Sequence, residues 1–548
     1  MAKKIKRKKR YFTIPDHLVS LAAAVATAIC CFWRVGLAGL YQDAGGAYYG
    51  VALEWFCLLF LPVGAPLFGI VSSMVAARLE KGTVKGARMV VQTAMLFGAA
   101  GSLFLCLAVF LCCDFLMDKL MGLPLAGLAL KGFLPALVPL CIALAFAGGM
   151  DGLGNEKSVG TLRLVFCLVL FFAGPVIVSP LCRYGQQVGA LLQNDQFGPA
   201  YGAMGGAFAF LAAAVVLMFF SVFLWLKQRR VLTNMERGEA FVYERQDQVF
   251  FVLVKRILPV MLPVLLLAGK LIAENLLFFR LANEEMETDR IRLWGLYAGQ
   301  ARTLLEVPLI GAVFFALHML PELKTGSLVR NPKRAKEKCM VLLRCMALIM
   351  VPATVYLAVL AGPLTETFFP AGDASVIVSV LRIGSVSVIL FGLALALAVF
   401  LAAGQKYAAV IACVLACTAV QLLSLAGLLK VPGMGIYAVV CANLIYAVLL
   451  FGVFCFVVQK TVRVRINWIR VFLAPCVGGI VLAAVCALFG LAILKKAPGA
   501  INLSVCALAG FGAYFIVVVL LKGATRRELS SFKGGEQLIV LARLLRLM

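Results

Sequence analysis

Apolar residues run along this chain in long continuous blocks, each closed by a short polar or basic stretch before the next begins. Blocks of about 20 residues have the length an α-helix needs to cross the hydrocarbon of a bilayer. A membrane-spanning strand would alternate apolar and polar residues instead, so a β-barrel is excluded. The pattern predicts an all-α polytopic membrane protein with about fourteen transmembrane helices. The spans lie near 14–40, 46–73, 88–113, 122–148, 159–182, 200–226, 252–278, 291–320, 340–362, 375–403, 407–428, 434–458, 467–494 and 501–522.

The polar stretches repeat. Ala77-Arg-Leu-Glu-Lys-Gly-Thr-Val-Lys-Gly-Ala-Arg88 follows the second span, and Pro321-Glu-Leu-Lys-Thr-Gly326 with Lys333-Arg-Ala-Lys336 follows the eighth. Gly152-Leu-Gly-Asn-Glu-Lys157 opens the fifth span and Ala403-Gly-Gln-Lys406 the eleventh, so both pairs are offset by close to 250 residues. Six crossings return a chain to its starting side, which predicts two pseudo-twofold-related six-helix lobes of parallel topology. The expected organisation is a basic tail (1–13), a first lobe (14–226), a polar linker (227–251), a second lobe (252–458), two further spans (459–522) and an amphipathic tail (523–548). In that last segment residues 538, 541, 545 and 548 form an apolar stripe with Arg543 and Arg546 off it, as in a helix lying on a membrane surface. A helix end without a role is the alternative.

Charge then orients the spans. A net charge of +26 would suggest nucleic acid in a soluble protein, but only 14% of these residues are charged and 63% are hydrophobic. Of the 51 lysines and arginines, 37 fall in one alternating set of connecting segments and 8 in the other. The basic side of a membrane protein faces the cytoplasm, so both termini are expected there and no nucleic-acid partner is needed. The 18 cysteines lie mostly inside apolar runs, as in Cys30-Cys31 and Cys112-Cys113, and read as small helix-packing residues rather than a disulfide framework. With only two histidines, His17 and His318, and no Cys-x-x-Cys pair, a zinc site is not expected. No phosphate-binding Gly-x-x-x-x-Gly-Lys-Ser/Thr motif and no soluble stretch long enough for a catalytic domain occur, so neither an ATP-driven motor nor an enzyme is expected.

Six cations remain inside the spans: Arg34, Lys131, Arg163, Lys270, Arg302 and Arg382. They meet three embedded acids, Glu54, Glu274 and Glu306, for a formal excess of +3. Each ionised group at bilayer depth costs at least about 2.5–3.5 kcal/mol, so such groups normally face a bundle interior or a wet cavity. Lys270 and Glu274 are four residues apart on one helical face, and Arg302 and Glu306 repeat the spacing in the next span. Each pair could simply neutralise itself and hold two helices in register. A cationic cavity instead suits phosphate oxygens. On that reading Arg34, Lys270 and Arg302 are the substrate-binding candidates, and Glu54, Glu274 and Glu306 tune the charge or couple the cycle. Lys131 and Arg382 are weaker candidates, because side chains less than halfway in can snorkel to the interface, and Arg163 more so. No cofactor is expected; the candidate coupling ions are H+ and Na+.

Several stretches resemble a known family. Arg34 with Gly45-Gly-Ala-Tyr-Tyr-Gly50, Leu61-Pro-Val-Gly-Ala-Pro66, Val75-Ala-Ala-Arg-Leu-Glu-Lys-Gly82 and Lys85-Gly-Ala-Arg88 are similar to the polysaccharide biosynthesis proteins related to stage V sporulation protein B. Leu296-Tyr-Ala-Gly299, Pro308-Leu-Ile-Gly-Ala312 and Pro432-Gly-Met-Gly-Ile-Tyr-Ala438 continue the pattern in the second lobe. The resemblance covers roughly 20–460 and places the chain beside the multidrug/oligosaccharidyl-lipid/polysaccharide (MOP) exporter superfamily, with the two extra C-terminal spans resembling those of lipid II flippases. It implies a monomeric bacterial plasma-membrane flippase for an undecaprenyl-pyrophosphate-linked saccharide, most plausibly the peptidoglycan precursor lipid II. Its partners would be that substrate, membrane lipids and, as further candidates, cell-wall synthesis proteins. The chain departs from the pattern where Val35, not an aspartate, follows Arg34, and at Lys270, Glu274 and Glu306. The competing expectations are an ion-coupled drug or metabolite antiporter of the same superfamily, a polyprenyl-dependent membrane enzyme, and a scaffold subunit with a degenerate cavity.

Overall fold

In a computed structural model of the chain, the described residues are 16–236, 245–282, 287–324, 332–370, 373–404, 406–462, 466–493 and 498–521. The basic N-terminal tail, the centre of the linker and the amphipathic C-terminal tail lie outside them, as do the side chains of Arg34 and His318.

The first lobe contains α1 (Asp16–Glu80), α2 (Val84–Asp114) with a π-helical extension (Phe115–Leu120), α3 (Ala126–Phe133), α4 (Leu137–Gly152), α5 (Glu156–Leu192) and α6 (Phe197–Glu236). The second contains α7 (Gln246–Leu281), α8 (Glu287–Trp294), a π-helical turn (Gly295–Ala301), α9 (Arg302–Lys324), α10 (Pro332–Val359), α11 (Ala361–Phe368), α12 (Ala374–Ala403), α13 (Tyr407–Leu428) and α14 (Gly435–Val462). Two further long helices follow, α15 (Trp468–Cys486), with its own π-helical extension, and α16 (Gly499–Leu520). Among the described residues, 12 helical stretches are long and apolar enough to cross a membrane. The other two predicted spans correspond to the start of α1 and to the continuous run from α8 through α9.

The sequence pattern predicts a break between the first two spans, yet the residues from Asp16 to Glu80 are all helical, as α1. The helix nevertheless doubles back. Thr27 and Gly64 line one cavity although a straight helix would hold them roughly 55 Å apart. Gly206 of α6 likewise faces both Leu37 and Tyr49. The reversal therefore falls near Gly45-Gly46, and the expectation of two antiparallel spans holds without an intervening loop. A second difference lies at 183–199, where the sequence reading expects a loop. There α5 continues to Leu192 and ends on Gln193 in a left-handed conformation, leaving only a short connection to α6.

Two hubs organise the packing. α1 packs on α4, α5 and α6 within its lobe and on α7, α9 and the π turn across the lobe boundary. α12 takes the corresponding central place, against α9, α10 and α14. α15 and α16 pack on each other, with α15 against α10 and α16 against α11, so the additional spans flank the second lobe. The prolines Pro62, Pro66, Pro259, Pro263 and Pro352 sit inside unbroken helices.

At the end carrying Asp43, the outer end in the predicted topology, the lobes touch backbone to backbone. A Cβ on Gly46 would stand 3.3 Å from the Gly295 carbonyl oxygen, and one on Gly295 would stand 1.7 Å from that of Asp43. Only glycine allows this approach, as at the small-residue crossings of membrane helices. Gly295→Ala is therefore expected to push the lobes apart at this end. The overpacking cost of about 1–3 kcal/mol should appear as a lower unfolding temperature of the detergent-purified protein, together with greater labelling of a cysteine placed at Ala298; unchanged values of both would contradict the close contact.

Candidate functional site

The glutamate on α1 lies about two turns after the reversal, toward the Asp43 end of the second half of the helix, and the two ion pairs expected from spacing stand opposite it on α7 and α9. Glu54 accepts hydrogen bonds from Arg302 Nη1 and from Asn275 Nδ2, joining residues 248 and 221 positions away. Arg302 also donates through Nε to Glu306 Oε1 at 2.8 Å, so one guanidinium is held between two carboxylates. The π turn directly precedes Arg302. One extra residue in a helical turn rotates all that follows by about 100°, so the π turn decides which face of α9 presents the arginine.

The second pair is more deeply enclosed. Lys270 Nζ lies 2.7 Å from Glu274 Oε1 and donates to Asn443 Oδ1 at 2.9 Å. Its ammonium also stands 4.4 Å from the centroid of the Tyr446 ring, a cation–π distance. Gln421 Nε2 donates to the same Glu274 oxygen at 2.5 Å, and Asn443 Nδ2 donates to the Tyr297 hydroxyl at 3.1 Å. Because Glu274 and Asn275 are neighbours on α7, the two clusters form one network drawing on α1, α7, α9, α13, α14 and the π turn. Exposure falls along it, from 32% for the Glu306 side chain and 17% for Arg302 to 7% for Lys270 and 2% for Glu274.

Five sequence candidates thus meet: Glu54, Lys270, Glu274, Arg302 and Glu306. The side chain of Arg34 lies outside the described residues, and Lys131, Arg163 and Arg382 do not join them. Lys131 pairs with the exposed Asp114 at 2.7 Å, and Arg382 is exposed on α12. Arg163 lines a separate, mainly apolar cavity of about 540 Å³ between α1, α4, α5 and α6. The expected surplus of +3 is accordingly not gathered in one place. The described network holds two cations and three carboxylates, a formal charge of −1, because three of the embedded cations lie elsewhere.

Asn275, Gln421, Asn443, Tyr297 and Tyr446 were not among the sequence candidates. Three of them carried a signal, since Asn275, Gln421 and Asn443 are isolated amides inside otherwise apolar runs. The outer contact adds another polar set: Gln300 Nε2 donates to Asp43 at 2.8 Å, and Arg292 lies within 3.8 Å of Asp43 and 3.9 Å of Asp373. Among the described residues no cluster of histidine, cysteine and acidic side chains could hold a metal.

No protein-family profile and no curated protein matches the chain by sequence. Solved structures do match it by shape. A multidrug resistance MATE family transporter of the MOP superfamily, in an inward-facing conformation, aligns with a TM-score of 0.63 at 15% identity, over 81% of this chain and 99% of its own. The lipid II flippase MurJ, in an inward closed conformation, aligns with a TM-score of 0.60 at 13% identity, over 92% of this chain and 98% of its own. A MOP superfamily transporter from Pyrococcus furiosus, whose binding pocket is described as having reverse polarity, aligns at 0.50 and 15% identity, over 83% of this chain and 100% of its own. The chain therefore has the fold of the MOP superfamily transporters and is a multi-pass membrane protein.

Removing one partner of a buried ion pair leaves the other charge uncompensated, at a cost of about 3–5 kcal/mol. Glu54→Ala should accordingly lower stability by an amount at the low end of that range, because Glu306 still neutralises Arg302. Arg302→Met should cost more, because it strands both carboxylates, and the double variant should cost less than the sum of the two single losses, because only Glu306 is then left without its cation. A double-mutant cycle on unfolding temperatures that shows simple additivity would contradict the coupling.

Proposed function

We propose that the protein is a flippase that carries an undecaprenyl-pyrophosphate-linked saccharide across the bacterial plasma membrane, with lipid II as the favoured substrate. The lobes alternate in access around the network, both termini are cytoplasmic, and the polyprenyl tail stays in lipid. The observation that carries this reading is Arg302, a partly exposed guanidinium at the lobe boundary held by carboxylates from both lobes. A pyrophosphate offers the same planar oxygen pairs and can replace Glu54 or Glu306 at the fork. Exchange of anionic partners then couples substrate arrival to separation of α1 from α9, and return of the carboxylates releases the headgroup. Support also comes from length: the lipid II flippase aligns with 92% of this chain and the MATE transporter with 81%, a difference of the size that α15 and α16 would account for.

A second reading, an ion-coupled drug or metabolite antiporter, is favoured by the carboxylate majority of the network, since organic cations need counter-charge. One assay separates the two. In proteoliposomes, labelled polyprenyl-pyrophosphate sugar should become accessible on the opposite leaflet with wild-type protein and at background rate with Arg302→Ala of equal incorporation. Normal flipping by that variant removes Arg302 from the binding role, and gradient-driven dye efflux without lipid movement supports the antiporter.

A further inference from the structure

The Lys270 ammonium has three N–H donors, and each has a partner of a different kind: the Glu274 carboxylate at 2.7 Å, the Asn443 amide oxygen at 2.9 Å and the face of the Tyr446 ring, with its centroid at 4.4 Å. Every wall of this enclosure is built by something further out. Gln421 holds Glu274, and the Asn443 amide is oriented by its bond to Tyr297, which fixes its oxygen toward the lysine. Glu274, Asn275 and Gln421 are all buried. The Oε1 of Gln421 is buried and accepts no hydrogen bond, so the amide already bonded to Glu274 carries a spare oxygen. Carboxylate and amide oxygens around a small volume, with an aromatic face, suit a hard monovalent cation.

We propose that Glu274, Asn443 and Tyr446, backed by Gln421, form a binding cage for a small monovalent cation, which this chain fills permanently with its own Lys270 ammonium. The tethered charge makes the second lobe independent of a dissolved ion at this position. Movement of α7 against α13 and α14 would draw the ammonium away from Asn443 and Tyr446 while Glu274, on the same helix, travels with it. A simple ion pair that pins two helices would share the distances but would not accept a dissolved ion once the lysine is gone. This inference does not depend on which molecule is transported.

The test uses the full-length protein purified in NaCl, in ethylammonium chloride or in choline chloride at equal ionic strength, choline being too large for the cage. Lys270→Ala should be recovered in higher yield in the first two salts than in choline. It should also show a saturable rise in unfolding temperature of about 3 °C at a hundredfold excess of Na+ over its dissociation constant. The wild type should show no such rise, and Lys270→Ala/Glu274→Gln should lose it. Recovery of Lys270→Ala that is no better in NaCl or ethylammonium than in choline overturns the proposal. An equal Na+ response in wild type, or one that survives Glu274→Gln, overturns it as well.

Discussion

A guanidinium shared by carboxylates from two lobes is the constraint from which the rest of this structure follows. Charge inside a bilayer persists only where it is neutralised locally, and Arg302 meets that condition through Glu54 of α1 together with Glu306 of its own helix. The lobe boundary at this level is therefore ionic, not greasy. Pulling α1 from α9 exposes a carboxylate and half-unsatisfies an arginine unless another anion, or a proton on Glu54, takes the vacated place. Toward the Asp43 end the boundary is of another kind: Gly46, Gly295 and Gly299 bring backbones into contact, where separation breaks van der Waals packing, the hydrogen bond from Gln300 to Asp43, the Arg292–Asp43 ion contact and the bonds from Arg280 to the Lys119 and Leu120 carbonyls.

Much of this was legible in the chain. Length of apolar runs and lysine and arginine asymmetry locate the helices, because both follow from the thickness and polarity of a bilayer and need no tertiary information. The i,i+4 pairs were legible too, since helical geometry alone puts Lys270 beside Glu274 and Arg302 beside Glu306. What stayed hidden was every partnership fixed by long-range packing. Glu54 and Arg302 are 248 residues apart, and a π turn with no distinctive composition sets the face that Arg302 presents. The charge sum misled because membership of a span says nothing of azimuth: Lys131, Arg163 and Arg382 are embedded by sequence and point away from the network. At 183–199 the gap between two apolar runs suggested a loop, although a helix can continue past the end of its apolar run, as α5 does to Leu192.

The amides show how the sequence could have yielded more. Asn275, Gln421 and Asn443 stand alone in apolar runs, and an unsatisfied amide is costly there, so each had to have a polar partner. Embedded acids and cations identify the ionic centre, while isolated amides identify the groups that hold it in shape. The structure is still needed to choose among them, because Lys131, Arg163, Arg382 and the amide of Asn502 carry the same mark in the sequence and lie outside the network.

The gradient of exposure within the network assigns the two ion pairs different work. Arg302 and Glu306 keep 17% and 32% of their side chains exposed, whereas Lys270 and Glu274 keep 7% and 2%. A ligand from outside can compete at the first pair without stripping an ion from a sealed pocket, and the second pair resists such competition because both its charges are buried and already partnered. The link between them is α7, where Glu274 faces α13 and its neighbour Asn275 bonds Glu54 of α1. Any event that withdraws Glu54 frees the Asn275 amide next to the caged pair. The strain is delivered to a helix with Pro259 and Pro263 about two to three turns before Lys270, where missing backbone hydrogen bonds make bending least costly. In the proposed cycle, α7 is the element through which an exchange of anions at the open edge would be read by the closed interior.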